Sequence, residues 1–262
     1  MQFIVQGYPA YAYTGGHAFA PTLPAVVFIH GAAFDHSVWQ WQSRYLANHG
    51  FTVLAVDLPG HGRSPGTARS TIEAMADWVN AFIESATLRT AAVVGHSMGS
   101  LVALDTALRY PARLSRLALL GISVPMGVSN PFLAAARDDS PAALDMEAVW
   151  GLSRNAPLSA SPIPGAALLG ASRALNGRAH AGVLHAGLHA CQSYTPDIAA
   201  VRALAMPTLI VAGRRDVMTP VKMGEALSKE IRGARFVTLD AGHSMMSEAP
   251  RQVLDALKGF FA

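Results

Sequence analysis

This sequence predicts an α/β fold, a mostly parallel central sheet flanked by helices, on three observations. Six apolar runs, most rich in β-branched residues, stop at or just before turn residues, usually glycine or aspartate. Segments with helix-start signals separate them. The runs are largely continuous rather than alternating, as in strands covered on both faces. Strands that alternate with helices favour parallel pairing through right-handed crossovers.

The chain opens with two short β-like stretches, Phe3–Val5 and Tyr11–Tyr13, ahead of Gly15-Gly16. The first long run, Val26-Val27-Phe28-Ile29, ends at His30-Gly31. The second, Phe51–Val56, ends at Asp57 and the turn-rich Leu58-Pro59-Gly60-His61-Gly62. Ser70-Thr71-Ile72-Glu73 then has capping-box spacing and opens a helix to about Ser85. The third run, Ala91–Val94, ends at Gly95, and a helix over Ser100–Arg109 is closed by Pro111. The fourth, Leu114–Leu120, ends at Gly121. The fifth, Thr208–Ala212, ends at Gly213, and the sixth is Arg235–Leu239. Helices over Pro220–Ile231 and Pro250–Phe261 begin on proline, which is tolerated where a first-turn N–H has no helical partner.

Residues 122–200 break this rhythm. They are rich in Ala, Pro, Gly and Ser, with helix-compatible patches at 142–152 and 166–175. A structureless loop of that length is improbable in a compact domain. An inserted helical cap is therefore expected over 122–200, on a core formed by 1–121 and 201–262.

Composition excludes several classes. With 262 residues, 51% hydrophobic and 14% charged, the chain suits one large α/β domain or two small ones, and disorder is excluded. The net charge is +3; lysine stands only at Lys222, Lys229 and Lys258, and the arginines are scattered, which is no footprint for nucleic acid. The single cysteine, Cys191, rules out a disulfide framework and reads as a small buried hydrophobe. The first basic residue is Arg44, so a signal-peptide flank is missing. Positions 117–136 are uncharged but interrupted by Pro125, Asn130, Pro131 and two serines, which disfavours a spanning helix. A cytoplasmic chain with no membrane and no nucleic-acid partner is the expectation, and the sequence leaves its oligomeric state open.

The chemistry concentrates in Gly95-His96-Ser97-Met98-Gly99. A strand before it and a helix after it are the context of a nucleophile elbow, whose glycines permit a turn too tight for Cβ atoms. That turn lifts the Ser97 hydroxyl clear of the sheet. Serine alone is a weak nucleophile and needs a base, which in turn needs an orienting acid. His243, in the loop after the last run, is the base candidate. Asp216, 27 residues earlier in the loop after the preceding run, is the acid candidate. The order Ser, Asp, His is that of one hydrolase class, and both loops leave the carboxyl ends of strands, where open α/β sheets bind ligands. Gly121, Ile122 and Ser123, after the fourth run, offer no carboxylate. Asp57 lies in a turn where its carboxylate is read as capping backbone N–H groups.

An acyl-transfer site also needs donors for an oxyanion. The N–H of Met98 and that of Ala32 or Ala33 are the candidates, with Ala32 preferred. Phe34, His96, Met126 and Trp150 are candidate pocket residues. Asp35 and His36, near the oxyanion loop, are possible substrate contacts. Phe132 and Met146 join Met126 and Trp150 as residues that either line an acyl pocket or pack a cap. His185 and His189 have helical ligand spacing but no third ligand, so no metal is expected.

His30-Gly31 with Trp39 downstream, Asp57-Leu58-Pro59-Gly60-His61-Gly62-Arg63-Ser64, Gly95–Gly99, Gly213–Asp216 and Gly242-His243 stand in a family's order. Through these motifs the chain resembles α/β-hydrolase fold enzymes of the capped esterase type, well over 24–121 and 205–262 and poorly in the cap. The resemblance implies a serine hydrolase that cleaves a small to medium carboxylic ester through an acyl-enzyme, without a cofactor. Dehalogenases and epoxide hydrolases of the family use aspartate where Ser97 stands. A lactonase, a C–C bond (diketone) hydrolase, an amidase or an acyltransferase would present the same triad. A non-catalytic ligand-binding or receptor protein on the same fold is the alternative of another class.

Overall fold

The structure, a computed structural model, describes residues 1–154, 156 and 167–262. Its strands are β1 (Gln2–Val5), β2 (Tyr8–Tyr13), β3 (Ala25–Ile29), β4 (Thr52–Val56), β5 (Ala91–His96), β6 (Leu114–Leu120), β7 (Thr208–Gly213) and β8 (Arg235–Leu239). They form an eight-stranded sheet in the order β1-β2-β4-β3-β5-β6-β7-β8. From β4 to β8 every pairing is parallel, while β1, β2 and β4 pair antiparallel. Each expected strand is present, within a few residues of its expected ends.

The chain steps outward from β3 to β4 and then returns past β3 to β5. The strand order therefore reverses between β3 and β5, the place where open α/β sheets leave a crevice at their carboxyl ends. Gly31-Ala32 and Ser97 leave those two strands side by side.

Strand periodicity divides the core into two layers. Val27 and Ile29 of β3 face one apolar cluster, which holds Trp78, Phe82 and Leu104. Val26 and Phe28 face the other, which holds Trp39, Val253 and Leu257. All four strand residues are fully buried.

The helices on the sheet are α1 (Gln40–Ala47), α2 (Ile72–Ser85), α3 (Met98–Arg109), α9 (Val221–Glu230), α10 (Met245–Glu248) and α11 (Pro250–Phe261). Helix α9 begins at Val221 with Pro220 as its N-cap, one residue later than expected, and two further starts differ. Thr71, not Ser70, caps α2: its backbone is extended and its hydroxyl accepts the Ala74 N–H at 3.1 Å. Helix α3 begins at Met98, two residues early, because the turn at Ser97 delivers the chain directly into helical geometry. Helix α1 had no sequence signal. Its buried face includes Gln42 and Ser43, so no apolar stripe marks it.

Between β6 and β7 lie α4 (Asn130–Arg137), α5 (Pro141–Gly151), α6 (Leu168–Asn176), α7 (Val183–Ser193) and α8 (Ile198–Arg202). The patch at 142–152 is α5. Of the patch at 166–175, residue 166 lies outside the described residues and most of the rest is α6. The expected boundary at 200 falls inside α8, and 155 and 157–166 of the expected cap are also outside the described residues. Tyr194 donates a hydrogen bond to Asp105 of α3 at 2.8 Å, and Arg178 pairs with Asp35 at 2.8 Å; both fasten the insert to the sheet layer. No helix among the described residues is long and apolar enough to cross a membrane.

Candidate active site

Ser97 occupies the turn from β5 into α3 with φ +54° and ψ −122°. That region costs a non-glycine residue about 1–3 kcal/mol and persists only where the surroundings enforce it. The surroundings are visible. A Cβ on Gly95 would overlap the Gly99 carbonyl, and one on Gly99 would lie 2.5 Å from the backbone oxygens of Ile29 and His30. Only glycine at both positions lets the turn close against β3. The Ser97 N–H donates to the Leu120 carbonyl at 3.0 Å, which pins the turn to β6.

The neighbouring β7 and β8 deliver the other two residues. The Asp216 carboxylate is buried and saturated with donors. Its Oδ1 accepts the N–H groups of Met218 and Thr219, each at 2.8 Å. Its Oδ2 accepts the Thr219 hydroxyl at 2.6 Å and His243 Nδ1–H at 2.7 Å. A carboxylate only accepts, so this contact places the imidazole proton on Nδ1 and leaves Nε2 as the acceptor. Among the described residues His243 Nε2 has no hydrogen-bond partner.

Burial works against charge on both members of the pair, but their mutual attraction outweighs it. Burial raises the pKa of Asp216, yet the charge and hydrogen bond of His243, with the Thr219 donors, bring it below the ordinary carboxylate value. Burial lowers that of His243, yet Asp216, supported by Glu147 and Glu248, lifts it above the ordinary histidine value.

Ser97 and His243 line one cavity of about 390 Å³, and so does Ala32. His30 fixes the backbone beside it. Its Nδ1–H donates to the Gly31 carbonyl at 2.8 Å while its Nε2 accepts the Leu58 N–H at 3.1 Å. Neither the Ala32 nor the Met98 N–H has an acceptor among the described residues. Gly187 of α7 packs against the side chains of these two residues, since a Cβ there would come within 2.9 Å of Ala32 Cβ and Met98 Sδ. Ala33, with φ +57°, is not part of the lining.

The pocket candidates separate. Met126 and Trp150 line the cavity with Phe132, whose ring meets Trp150 edge-on at 5.5 Å. Met146 does not line it. Phe34 faces a different cavity, of about 340 Å³, beside Trp41 and Arg178. His96 is fully buried behind the site. Its Nε2–H donates to the His243 carbonyl at 2.9 Å, and burial, followed by the His243 charge, lowers its pKa to about 3. It is therefore a neutral strut under the His243 loop. Asp35 caps Ser37 and pairs with Arg178, and His36 is taken up by Asp57, so neither contributes to the cavity. Asp57 accepts the His36 and Arg63 N–H groups at 2.7 and 2.8 Å, the turn-capping role expected of it.

Sequence reasoning missed Thr219, Glu147, Glu248 and Gly187. The Asp216-Val217-Met218-Thr219-Pro220 run carried a signal for Thr219, because aspartate before a threonine-proline pair favours a side-chain-capped turn. Glu248 binds the N–H groups of Ser153 and Gly242 at 3.1 and 3.0 Å, which ties the insert to the loop bearing His243. Cys191 also lines the cavity, with burial pushing its thiol up to about 12.

Comparisons with known proteins identify the fold family. The family described as alpha/beta hydrolase fold matches residues 24–250. A dihydrolipoyllysine-residue acetyltransferase component of an acetoin cleaving system from Cupriavidus necator is 39% identical over 48% of this chain, and the matched part spans 33% of that protein. A pimeloyl-[acyl-carrier protein] methyl ester esterase from Methylococcus capsulatus is 32% identical over 79% of this chain and 82% of its own length. Among solved structures, an enol-lactonase from Burkholderia xenovorans superposes with a TM-score of 0.86 at 23% identity, covering 100% of this chain and 99% of the other. A family match across most of the sequence, on a sheet with this strand order, leaves one assignment: the chain belongs to the alpha/beta hydrolase fold family.

Proposed function

We propose that this protein is a carboxylic ester hydrolase in which Ser97 is the nucleophile, His243 the general base and Asp216 its orienting acid. One observation carries the reading. Nε2 of His243 has no hydrogen-bond partner among the described residues and His243 lines the same cavity as Ser97, while its Nδ1 is held by a buried carboxylate.

In this mechanism His243 Nε2 accepts the Ser97 proton as Oγ attacks the ester carbonyl. The Ala32 and Met98 N–H groups stabilise the oxyanion, and Asp216 stabilises the imidazolium. His243 then returns the proton to the leaving alcohol. Water, deprotonated by the same nitrogen, releases the acid from Ser97. Helices α4–α8 act as a cap that closes the cavity and shapes its substrate end. The esterase relative supports an acyclic ester. A lactone is an internal ester that the same steps would open, a reading favoured by the superposition on an enol-lactonase.

Steady-state hydrolysis of p-nitrophenyl butyrate tests this reading. Many turnovers per chain are expected, with kcat/KM rising with pH. The sign follows from the base: Nε2 must be unprotonated, and the pKa of His243 is raised, so the rise is centred above the ordinary histidine value. A single stoichiometric burst, or a rate falling through that range, contradicts it.

A further inference from the structure

Among the described residues, the cavity lining holds one carboxyl side chain, and the proposed mechanism does not use it. Glu147 of α5 lines the cavity together with Ser97 and His243, although the residue is only 4% exposed overall. Its Oε2 is buried without a hydrogen-bond partner, and among the described residues nothing bonds to its carboxyl. A buried, unpaired carboxyl costs free energy, and native proteins retain such a group where something else satisfies it.

The surroundings supply no internal answer. Among the described residues no lysine or arginine lines the cavity. The titratable groups that face Glu147 are His243, which Asp216 already holds, and the Cys191 thiol, which stays neutral. The remaining lining near it is aromatic and apolar, including Phe132 and Trp150.

We propose that Glu147 is the substrate-recognition residue of this cavity, accepting a hydrogen bond from a hydroxyl or ammonium group at the non-reacting end of the ester and discriminating against a carboxylate there. The inference rests on the ester-hydrolase reading above. A donor group satisfies the orphaned oxygen, whereas a second negative charge in the same water-poor space is repelled. The Trp150 and Phe132 rings add a cation-binding face for the ammonium case.

Two matched ester series test this, one with the substituent ending a four- to six-carbon acyl chain and one with it ending the alcohol. Each compares terminal methyl, hydroxyl, ammonium and carboxylate groups by kcat/KM. In the wild type, in one of the two series, the donor-bearing esters are expected to exceed the methyl ester and the carboxylate to fall below it. Burial pushes Glu147 up to about 7, so its charge appears across neutrality. The carboxylate-to-methyl ratio is therefore expected to fall about fivefold or more between about pH 6 and pH 8.5, and the shared dependence on His243 cancels in that ratio. Glu147→Gln keeps the shape and removes the charge; it is expected to relieve the carboxylate handicap by about tenfold and to abolish any ammonium preference. A hydroxyl preference that survives partly in Glu147→Gln identifies a neutral donor, and an ammonium preference lost in it identifies a cation. A pH-independent ratio in the wild type, or an unchanged ratio in a folded Glu147→Gln, overturns the proposal. Native activity in Ser97→Ala would instead overturn the hydrolase reading, a separate and distinguishable result.

Discussion

Ser97→Ala is expected to lower turnover of p-nitrophenyl butyrate by on the order of 10⁴–10⁶-fold, with any residual rate due to binding and the oxyanion donors alone. Among the described residues, no other side chain on the cavity wall is placed to take over the attack. Ser129 lies on the insert and Thr219 is committed to Asp216, while burial keeps Cys191 as a neutral thiol. Stability should hardly change. The Ser97 hydroxyl makes no cap hydrogen bond to α3, and alanine keeps both the Cβ and the strained φ. Thermal melting of the variant checks the second point, and a rate within tenfold of the wild type would remove Ser97 from the chemistry.

The Asp216→Asn variant is expected to lose turnover by on the order of 10⁴-fold with the fold retained. The native carboxylate accepts from His243 Nδ1–H. An amide that instead donates to Nδ1 holds the ring in the other tautomer, with the proton on Nε2, the nitrogen proposed as the base. The pH profile should move as well. Asp216 raises the pKa of His243 against the effect of burial, so its loss lets burial prevail and the midpoint of kcat/KM against pH shifts downward. A variant with lowered rate but an unmoved midpoint would mean that another group holds the imidazole.

The sheet was legible because its signals are local. Val26–Ile29 and Leu117–Leu120 are apolar on both faces whatever lies around them, and glycine or histidine stops them. Ser97, Asp216 and His243 were legible for the same reason, since each sits in the turn directly after a strand. Helix α1 was not, because its buried positions include polar residues whose burial depends on packing beside α11. The capping at Thr71 differed by one residue, which a capping-box spacing does not resolve once Thr71 itself can accept the Ala74 N–H.

Glu147 shows the harder limit. In sequence it is an acidic residue on an unremarkable helix, between Met146 and Ala148. Its meaning comes from α5 lying over the Ser97 cavity, a long-range arrangement with no local signature. Phe34 illustrates the reverse error. It is close in sequence to Ala32, yet the backbone turn through Ala33, with φ +57°, carries its side chain into the neighbouring cavity.

Peptide mapping after treatment with a fluorophosphonate tests the convergence of Ser97, His243 and Asp216 most directly. One label per chain is expected, on the Ser97 hydroxyl, with labelling strongly slowed in Asp216→Asn because the base is then misoriented. A label on any other residue, or labelling of Ser97 at the native rate without Asp216, would contradict it.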